Sequence, residues 1–163
     1  MTRSKNLTQI TSYIKGLFRE DERVHSVIQG DVYNVWNHTN KGDQYISVVI
    51  DYETSSYYGD YVDYTFLAYI GNLINESQTN INSSISVGDS IMQNVLHKID
   101  TEDNGMDLVV PCATNPFMQQ WEDVLAGVWC RITIRTSIDP LCDIEQDPGS
   151  DPGSDPGSDD TSL

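Results

Sequence analysis

Apolar and polar side chains alternate along residues 130–135, near the end of the chain's apolar region. A period of two is typical of a strand with one face on a core and the other in water. The β-branched residues in this run also suit a pleated surface. The pattern therefore predicts a long strand inside a sheet, with its faces assigned residue by residue. Cys130, Ile132 and Ile134 fall on the apolar face, and Arg131, Thr133 and Arg135 on the polar face.

The residues just before this strand predict the packing around it. Leu125-Ala126-Gly127 is small and apolar, which is typical of a place where another backbone approaches closely or a strand bulges. Bulky side chains precede and follow it, and we expect them to anchor the structural core. The predicted core positions are Phe117, Trp121, Leu125, Gly127 and Trp129.

Two helices and three further strands are predicted upstream. Helical spacing of apolar residues indicates a helix over 7–19, with Asn6 and Gln9 forming a capping box, and a second over 81–99 capped by Asn80 or Asn82. Gly88 weakens the second helix unless a close crossing over the sheet uses the missing side chain. Strands are predicted at 24–28, 45–50 and 61–74, with 45–50 covered on both faces and 108–110 as a further short strand. The order α-β-β-β-α-β predicts an α+β domain in which two helices pack on one face of a mostly antiparallel four-stranded sheet.

Tyrosines concentrate where the strands at 45–50 and 61–74 are joined into a long hairpin. The connection is rich in turn-forming residues and carries Tyr52, Tyr57, Tyr58 and Tyr61. They are compatible with an ordinary hairpin or with a hairpin that reaches another subunit, because tyrosine is enriched in interface cores. Trp36, which either extends the sheet or packs under a loop, is a further candidate for the subunit interface.

Composition limits the classes of partner. The formal net charge is −16, and the seven carboxylates of residues 143–163 account for part of it, which leaves about −9 on residues 1–142. Without a basic stripe, specific binding to nucleic acid or to an anionic membrane is disfavoured. Residues 147–158 repeat Asp-Pro-Gly-Ser three times with nothing apolar to bury. We therefore expect a single domain over 1–142 and a disordered acidic tail over 143–163.

Candidate chemistry is sparse. His25, His38 and His97 do not form a metal-ligand pattern, and the three cysteines lack a CxxC pair. None of the common nucleophile, phosphate-loop or dinucleotide motifs occurs in the sequence. We expect no catalytic, cofactor-binding or metal-binding residues and no enzyme activity. Two other classes stay open, namely a monomeric adaptor domain that binds one protein and a small enzyme with an unrecognised carboxylate site.

The order of elements over residues 7–142 also carries a family resemblance. The residues concerned are Phe117-x3-Trp121-x-Asp123-x-Leu125-Ala126-Gly127-Val128-Trp129, the alternating strand, and the closing Pro140-Leu141-Cys142. With an initial helix and a valine-containing strand ending in Gly30-Asp31, this arrangement resembles the neck and tail-terminator-like proteins of crAss-like phages that infect Bacteroides. Residues 31–44 and the Asp-Pro-Gly-Ser tail depart from that family's pattern.

The resemblance implies a virion structural protein of the head–tail neck, present in the host cytoplasm during assembly. Proteins of that family are small α+β subunits that form a ring joining the portal side to the tail. The implied partners are copies of the chain itself and neighbouring neck, portal-side or tail proteins. DNA would pass through the ring lumen without being bound specifically, and no cofactor is implied.

Overall fold

The computed structural model describes residues 5–37, 45–120 and 123–138. Three helices and six strands follow in the order α-β-α-β-β-α-β-β-β. The helices are α1 (Leu7–Arg19), α2 (Val32–Asn37) and α3 (Ile81–Thr101). The strands are β1 (Ser26–Gln29), β2 (Ser47–Tyr57), β3 (Tyr61–Leu73), β4 (Met106–Leu108), β5 (Thr114–Gln120) and β6 (Val124–Ser137).

The six strands form one mixed sheet built around the long central pair β3 and β6. Its order is β1-β2-β3-β6-β4, with β5 also paired to β6. Only the β1–β2 pair is parallel among the described strands, and the others are antiparallel. β4 pairs with the C-terminal part of β6 and β5 with its N-terminal part, so β6 lies in the sheet interior as the alternation predicted.

The main core lies between one face of this sheet and the two long helices. Helix α1 begins with the predicted capping box, in which the Asn6 side chain accepts from the Gln9 backbone N–H and the Gln9 side chain accepts from the Asn6 N–H. Its apolar stripe and that of α3 bury against the inward residues of β2, β3 and β6. The predicted inward face of β6 is confirmed. Cys130, Ile132 and Ile134 are all fully buried.

Helix α3 crosses the sheet closely at Gly88. A Cβ placed there would lie 3.3 Å from Cγ2 of Val128 and 3.5 Å from its backbone nitrogen. Glycine therefore brings the helix nearer to β6 than a larger residue would, and this contact offsets part of its cost in helix propensity. The sequence predicts that a glycine in this helix is tolerated where the helix crosses the sheet closely, and the structure confirms such a crossing at Gly88.

A second, smaller core lies on the opposite face of the sheet. Trp36 of α2 packs there with Val49 of β2 and Leu125 of β6, and Phe117 and Tyr69 pack around them. Val49 faces this cluster while its neighbours Val48 and Ile50 face the main core, so the start of β2 is covered on both faces, as predicted. The predicted arrangement, with helices on one face of the sheet only, does not include this second core.

Three sequence-based expectations about the sheet need correction. The four-stranded, mostly antiparallel sheet is a six-stranded mixed sheet, because β1 pairs parallel to β2 and because β4 and β5 both pair with β6. Residues 32–37 form the short helix α2, which the sequence did not predict. The segment 51–57, read as part of a connection, continues β2 as far as Tyr57. The coarser α+β prediction, with two long helices on one sheet face, is confirmed.

Candidate subunit interface

The most exposed aromatic surface is at the far end of the β2–β3 hairpin. The two strands pair from Ser47–Gly71 at one end to Tyr57–Val62 at the other, with an irregularity between Tyr52 and Thr54. Three residues, Tyr58 to Asp60, make the turn, where Gly59 takes a φ of 89°. A residue without Cβ adopts this left-handed conformation at little cost, which lets the turn stay short.

The hairpin end is supported from one side by β6. The ladder between β3 and β6 runs without a break from Tyr61–Ser137 to Leu73–Leu125. The backbone N–H of Ile138 donates to the carbonyl of Asp60 at 3.0 Å, and that of Tyr58 donates to the carbonyl of Tyr61 at 2.9 Å. The end of the hairpin is therefore fixed to β6 by backbone hydrogen bonds, which hold its backbone in place.

Three of the four predicted tyrosines lie together at this end. Tyr57 is 74% exposed and Tyr58 is 56% exposed. Tyr58 stacks on Tyr61, with ring centroids 4.9 Å apart and planes inclined by 22°. The stack reduces the conformational freedom that either ring would lose on binding, so a partner would meet a pre-organised apolar surface. We call Tyr57, Tyr58 and Tyr61 the tyrosine tip.

An arginine from β6 holds the tip in place from below. The guanidinium of Arg135 lies over the Tyr61 ring, 4.0 Å from its centroid. Its Nε and Nη2 donate to the two carboxylate oxygens of buried Asp63, at 2.8 and 2.9 Å. These hydrogen bonds raise the pKa of Arg135 above its ordinary value, so the cation persists at any physiological pH. Ring, cation and carboxylate form one connected unit across β3 and β6.

The outer edge of β2 is open beside the tip. β1 pairs with β2 along Ser47–Ile50, and along the chain that the structure describes no strand pairs with this edge from Asp51 to Tyr57. Edge strands of this kind expose backbone donors and acceptors that can pair with another chain. The open edge ends at Tyr57, which belongs to the tyrosine tip, so a single neighbour could engage both.

Two acidic side chains, Glu53 and Asp51, lie along this part of β2 and differ in how their charge is compensated. Glu53 accepts from Nε and Nη2 of Arg131 at 2.8 and 3.1 Å, which neutralises it across the sheet face. Within the described part of the chain, Asp51 forms no ion pair. Burial first, and then the charges of Asp31 and Glu53, raise the pKa of Asp51 above its usual range. β2 thus carries one carboxylate that is ion-paired, Glu53, and one whose ionised form is disfavoured by burial and neighbouring charge, Asp51.

The other two predicted interface residues lie elsewhere. Tyr52 is partly buried against the main core, where its ring lies 5.7 Å from that of Phe66. It is separated from the tip because β2 continues as far as Tyr57, through a segment for which the sequence predicts a connection. Trp36 is only 1% exposed, in the second core, and offers no surface to a second subunit. Its packing on the sheet is the physical reason for excluding it from the interface.

The predicted structural-core residues gather around the second core. Leu125 and Gly127 are buried, and Phe117 lies on β5 opposite Gly127, with its ring 5.7 Å from Trp36. Trp129 is half-buried, and its ring stacks on that of Tyr69 at 6.3 Å. Trp121 lies outside the described residues, as does the tail over 143–163. The four described members of the set, Phe117, Leu125, Gly127 and Trp129, lie on the face opposite the two long helices.

The described residues also enclose an open acidic groove of about 440 Å³. It runs along the turn from Asp100 to Asp107 and reaches Ser137. Within the described ranges, no group of three or more His, Cys, Asp or Glu side chains is placed to hold a metal ion. The amide nitrogen of Asn104 is buried beside the groove without a hydrogen-bond partner. Among the carboxylates that line the groove, Glu102 accepts a hydrogen bond from the hydroxyl of Tyr13.

Sequence reasoning missed the residues that support the tip. Arg135 was placed on the polar face of β6, but its partners Asp63 and Tyr61 follow only from the β3–β6 register. Two alternating strands with opposite charges on their outward faces are the signal that could have suggested the pairing.

Comparison with known proteins gives no family assignment. No protein-family model matches the chain, and no curated protein matches it either. Among the described helices, none is both long and apolar enough to cross a membrane.

Proposed function

We propose that this chain is a virion structural protein whose copies assemble into a ring in the head–tail neck or tail of a phage. The ring would join the portal or connector side to the tail. The observation that carries the proposal is the tyrosine tip, an exposed and pre-organised aromatic surface at the end of a supported hairpin. A surface whose rings are already held in place binds with a smaller entropic cost than one that must be ordered first.

The two edges of the sheet differ in a way that suits head-to-tail assembly. On one side β2 offers an open edge next to the tip. On the other side β5 carries Pro116, which lacks a backbone N–H. Proline on an edge strand discourages strand addition. A ring needs one patch on each subunit to meet a different patch on the next, and this asymmetry favours such a heterologous contact over a symmetric dimer.

The acidity of the chain is compatible with a DNA passage. If carboxylates line the lumen, they repel the DNA that passes through instead of retaining it. Neutralising lumen-facing carboxylates should then slow DNA ejection. An unchanged ejection rate would count against this part of the proposal.

The mass of the assembled protein tests the proposal. Native mass spectrometry of the purified chain over a range of concentrations should show closed oligomers of one defined size. Tyr57→Ser combined with Tyr58→Ser should abolish them, because both side chains are exposed in the subunit and would form the centre of the contact. Loss of oligomers with an unchanged secondary-structure content by circular dichroism is the expected result.

Tyr33→Ser is the matched control, since Tyr33 is 63% exposed but lies on α2, away from the tip. It should leave the oligomer unchanged. A monomer that binds one different neck protein through the tip, with no self-association at any concentration or on the isolated tail, would support the adaptor alternative and reject the ring.

A further inference from the structure

The turn between α3 and β4 contains the one Asn-Gly pair in the sequence, Asn104-Gly105. Both residues lie outside helix and strand, and Gly105 has a φ of 77°. A glycine backbone nitrogen has no side chain beside it, so it can approach the side-chain carbonyl carbon of the preceding asparagine with little hindrance. The bond between them would close a five-membered ring, and a reaction within one chain needs no encounter between molecules.

The two nitrogen atoms that such a reaction changes make no hydrogen bond within the described part of the chain. The backbone nitrogen of Gly105, which would attack, donates to no protein acceptor there. The amide nitrogen of Asn104, which would leave as ammonia, is buried without a hydrogen-bond partner. A buried amide group without a hydrogen bond is unfavourable, so its departure removes a destabilising group.

The side-chain oxygen of Asn104, in contrast, is held in place. The backbone N–H of Met106 donates to Oδ1 at 3.1 Å, and Met106 is itself fixed on β4 opposite Thr136. Negative charge develops on this oxygen when the carbonyl carbon is attacked, and a donor already directed at the oxygen stabilises that charge. The backbone N–H of Asn104 donates to the carbonyl of Glu102 at 3.1 Å, which fixes the turn on its other side.

Water reaches this turn through the acidic groove. Asn104 and Gly105 both line that open cavity of about 440 Å³, so a ring formed there would meet the solvent that opens it. Four carboxylates line the same groove, namely those of Asp100, Glu102, Asp103 and Asp107. A new carboxylate at position 104 would therefore add a charge to a surface that is already acidic.

We propose that Asn104 is a self-modification site, which deamidates in the folded protein through a cyclic imide. The Gly105 nitrogen bonds to Cγ of Asn104, the Cγ–Nδ2 bond breaks, and Nδ2 takes the Gly105 proton and leaves as ammonia. One water then adds to either carbonyl carbon of the imide. Breaking the new bond to Cγ gives aspartate, and breaking the original peptide bond gives isoaspartate. No electrons are exchanged, and water is the single co-reactant.

The two products affect the fold differently. Aspartate keeps the backbone and adds a charge that the neighbouring carboxylates repel. Isoaspartate inserts the side-chain methylene into the main chain, so Met106 no longer meets Thr136 in the same register. Because β4 has three residues and ends the sheet, this shift should loosen it and lower the melting temperature more than aspartate does. The inference does not depend on the proposed ring.

The test follows the full chain during incubation in mildly alkaline buffer at physiological temperature. Digestion and mass spectrometry should show a mass gain of about one dalton on the peptide that contains residue 104. Chromatography should separate two products of that mass, with isoaspartate in excess. Asn82, which precedes a serine in the first turn of α3, is the internal reference and should react at least about tenfold more slowly because the helix fixes its backbone.

Asn104→Gln is the matched control, since it keeps the amide but would have to close a less favourable six-membered ring. Its mass should stay unchanged, and the comparison with Asn82 decides the question even if this variant does not fold. Asn104→Asp should melt above the isoaspartyl fraction, and equal melting temperatures would contradict the shift of β4. No mass gain at residue 104 while a synthetic peptide of residues 100–108 is fully modified would overturn the proposal. Aspartate without isoaspartate, or equal modification of Asn82, would also overturn it.

Discussion

Gly127→Ala should be a severely destabilising single-methyl substitution in this protein. Gly127 lies opposite Gly71 on the central β3–β6 ladder. A Cβ built on Gly127 would lie 1.8 Å from the carbonyl oxygen of Ile70 and 2.8 Å from its carbonyl carbon. Both are backbone atoms, so no side-chain rotation relieves the overlap.

The cost follows from how far the strands must part. Carbon and carbonyl oxygen approach each other to about 3.3 Å at closest, so the two backbones must separate locally by about 1.5 Å. That displacement disrupts about two ladder hydrogen bonds at about 1 kcal/mol each. It also loosens the Trp36 ring, which packs directly over Gly71. We expect a total loss of about 3–5 kcal/mol in the free energy of unfolding.

Urea denaturation followed by tryptophan fluorescence measures this loss. The midpoint should fall with an unchanged slope, and the melting temperature should fall by about 10 °C or more. Gly16→Ala is the control, because a Cβ on Gly16 of α1 would meet nothing within 4 Å. There alanine should stabilise the helix by about 0.5–1 kcal/mol. A loss below about 1 kcal/mol for Gly127→Ala would refute the close strand contact.

Two further predictions concern the face opposite the long helices. Trp36→Ala should cost about 3–5 kcal/mol because it empties the second core, while Tyr33→Ala on the exposed side of α2 should change stability by less than about 0.5 kcal/mol in the same denaturation assay. Asp51→Asn should stabilise the protein at neutral pH by at most about 1 kcal/mol, because it removes a charge disfavoured by burial and by Asp31 and Glu53.

The sign of the Asp51 effect can be checked by titration. A carboxyl whose pKa is raised by folding stabilises the native state below its unfolded pKa, and this contribution is lost as the pH rises through the folded pKa. The advantage of the asparagine variant should therefore be present at pH 7 and vanish near pH 3. A variant that is equally stabilised at both pH values would contradict the assignment.

The elements that periodicity and capping specify locally were predictable. Helix α1 spans the predicted residues because a capping box and a regular apolar stripe agree with each other. The inward and outward faces of β6 follow from its alternation alone. The approach of a second backbone at Gly127 was also indicated by the small residues beside it.

The missed elements depend on tertiary contacts. β5 has no alternating pattern, contains Pro116, and exists because it pairs with β6. The six-residue helix α2 is too short to be stable by propensity and is held by Trp36 against the sheet. In the candidate site, the sequence indicated the tyrosine tip, but the separation of Tyr52 from it required knowing that β2 continues to Tyr57.

Photo-cross-linking from the tip tests the proposed assembly most directly. A benzoylphenylalanine at position 58 should yield covalent dimers and higher oligomers of the chain, and mass spectrometry should map the attachment to one fixed patch on the next subunit. The same probe at position 33 should yield monomer. Two results would contradict a ring built through the tyrosine tip. One is monomer alone from position 58 at concentrations where native mass spectrometry detects oligomers, and the other is the same cross-links from both positions.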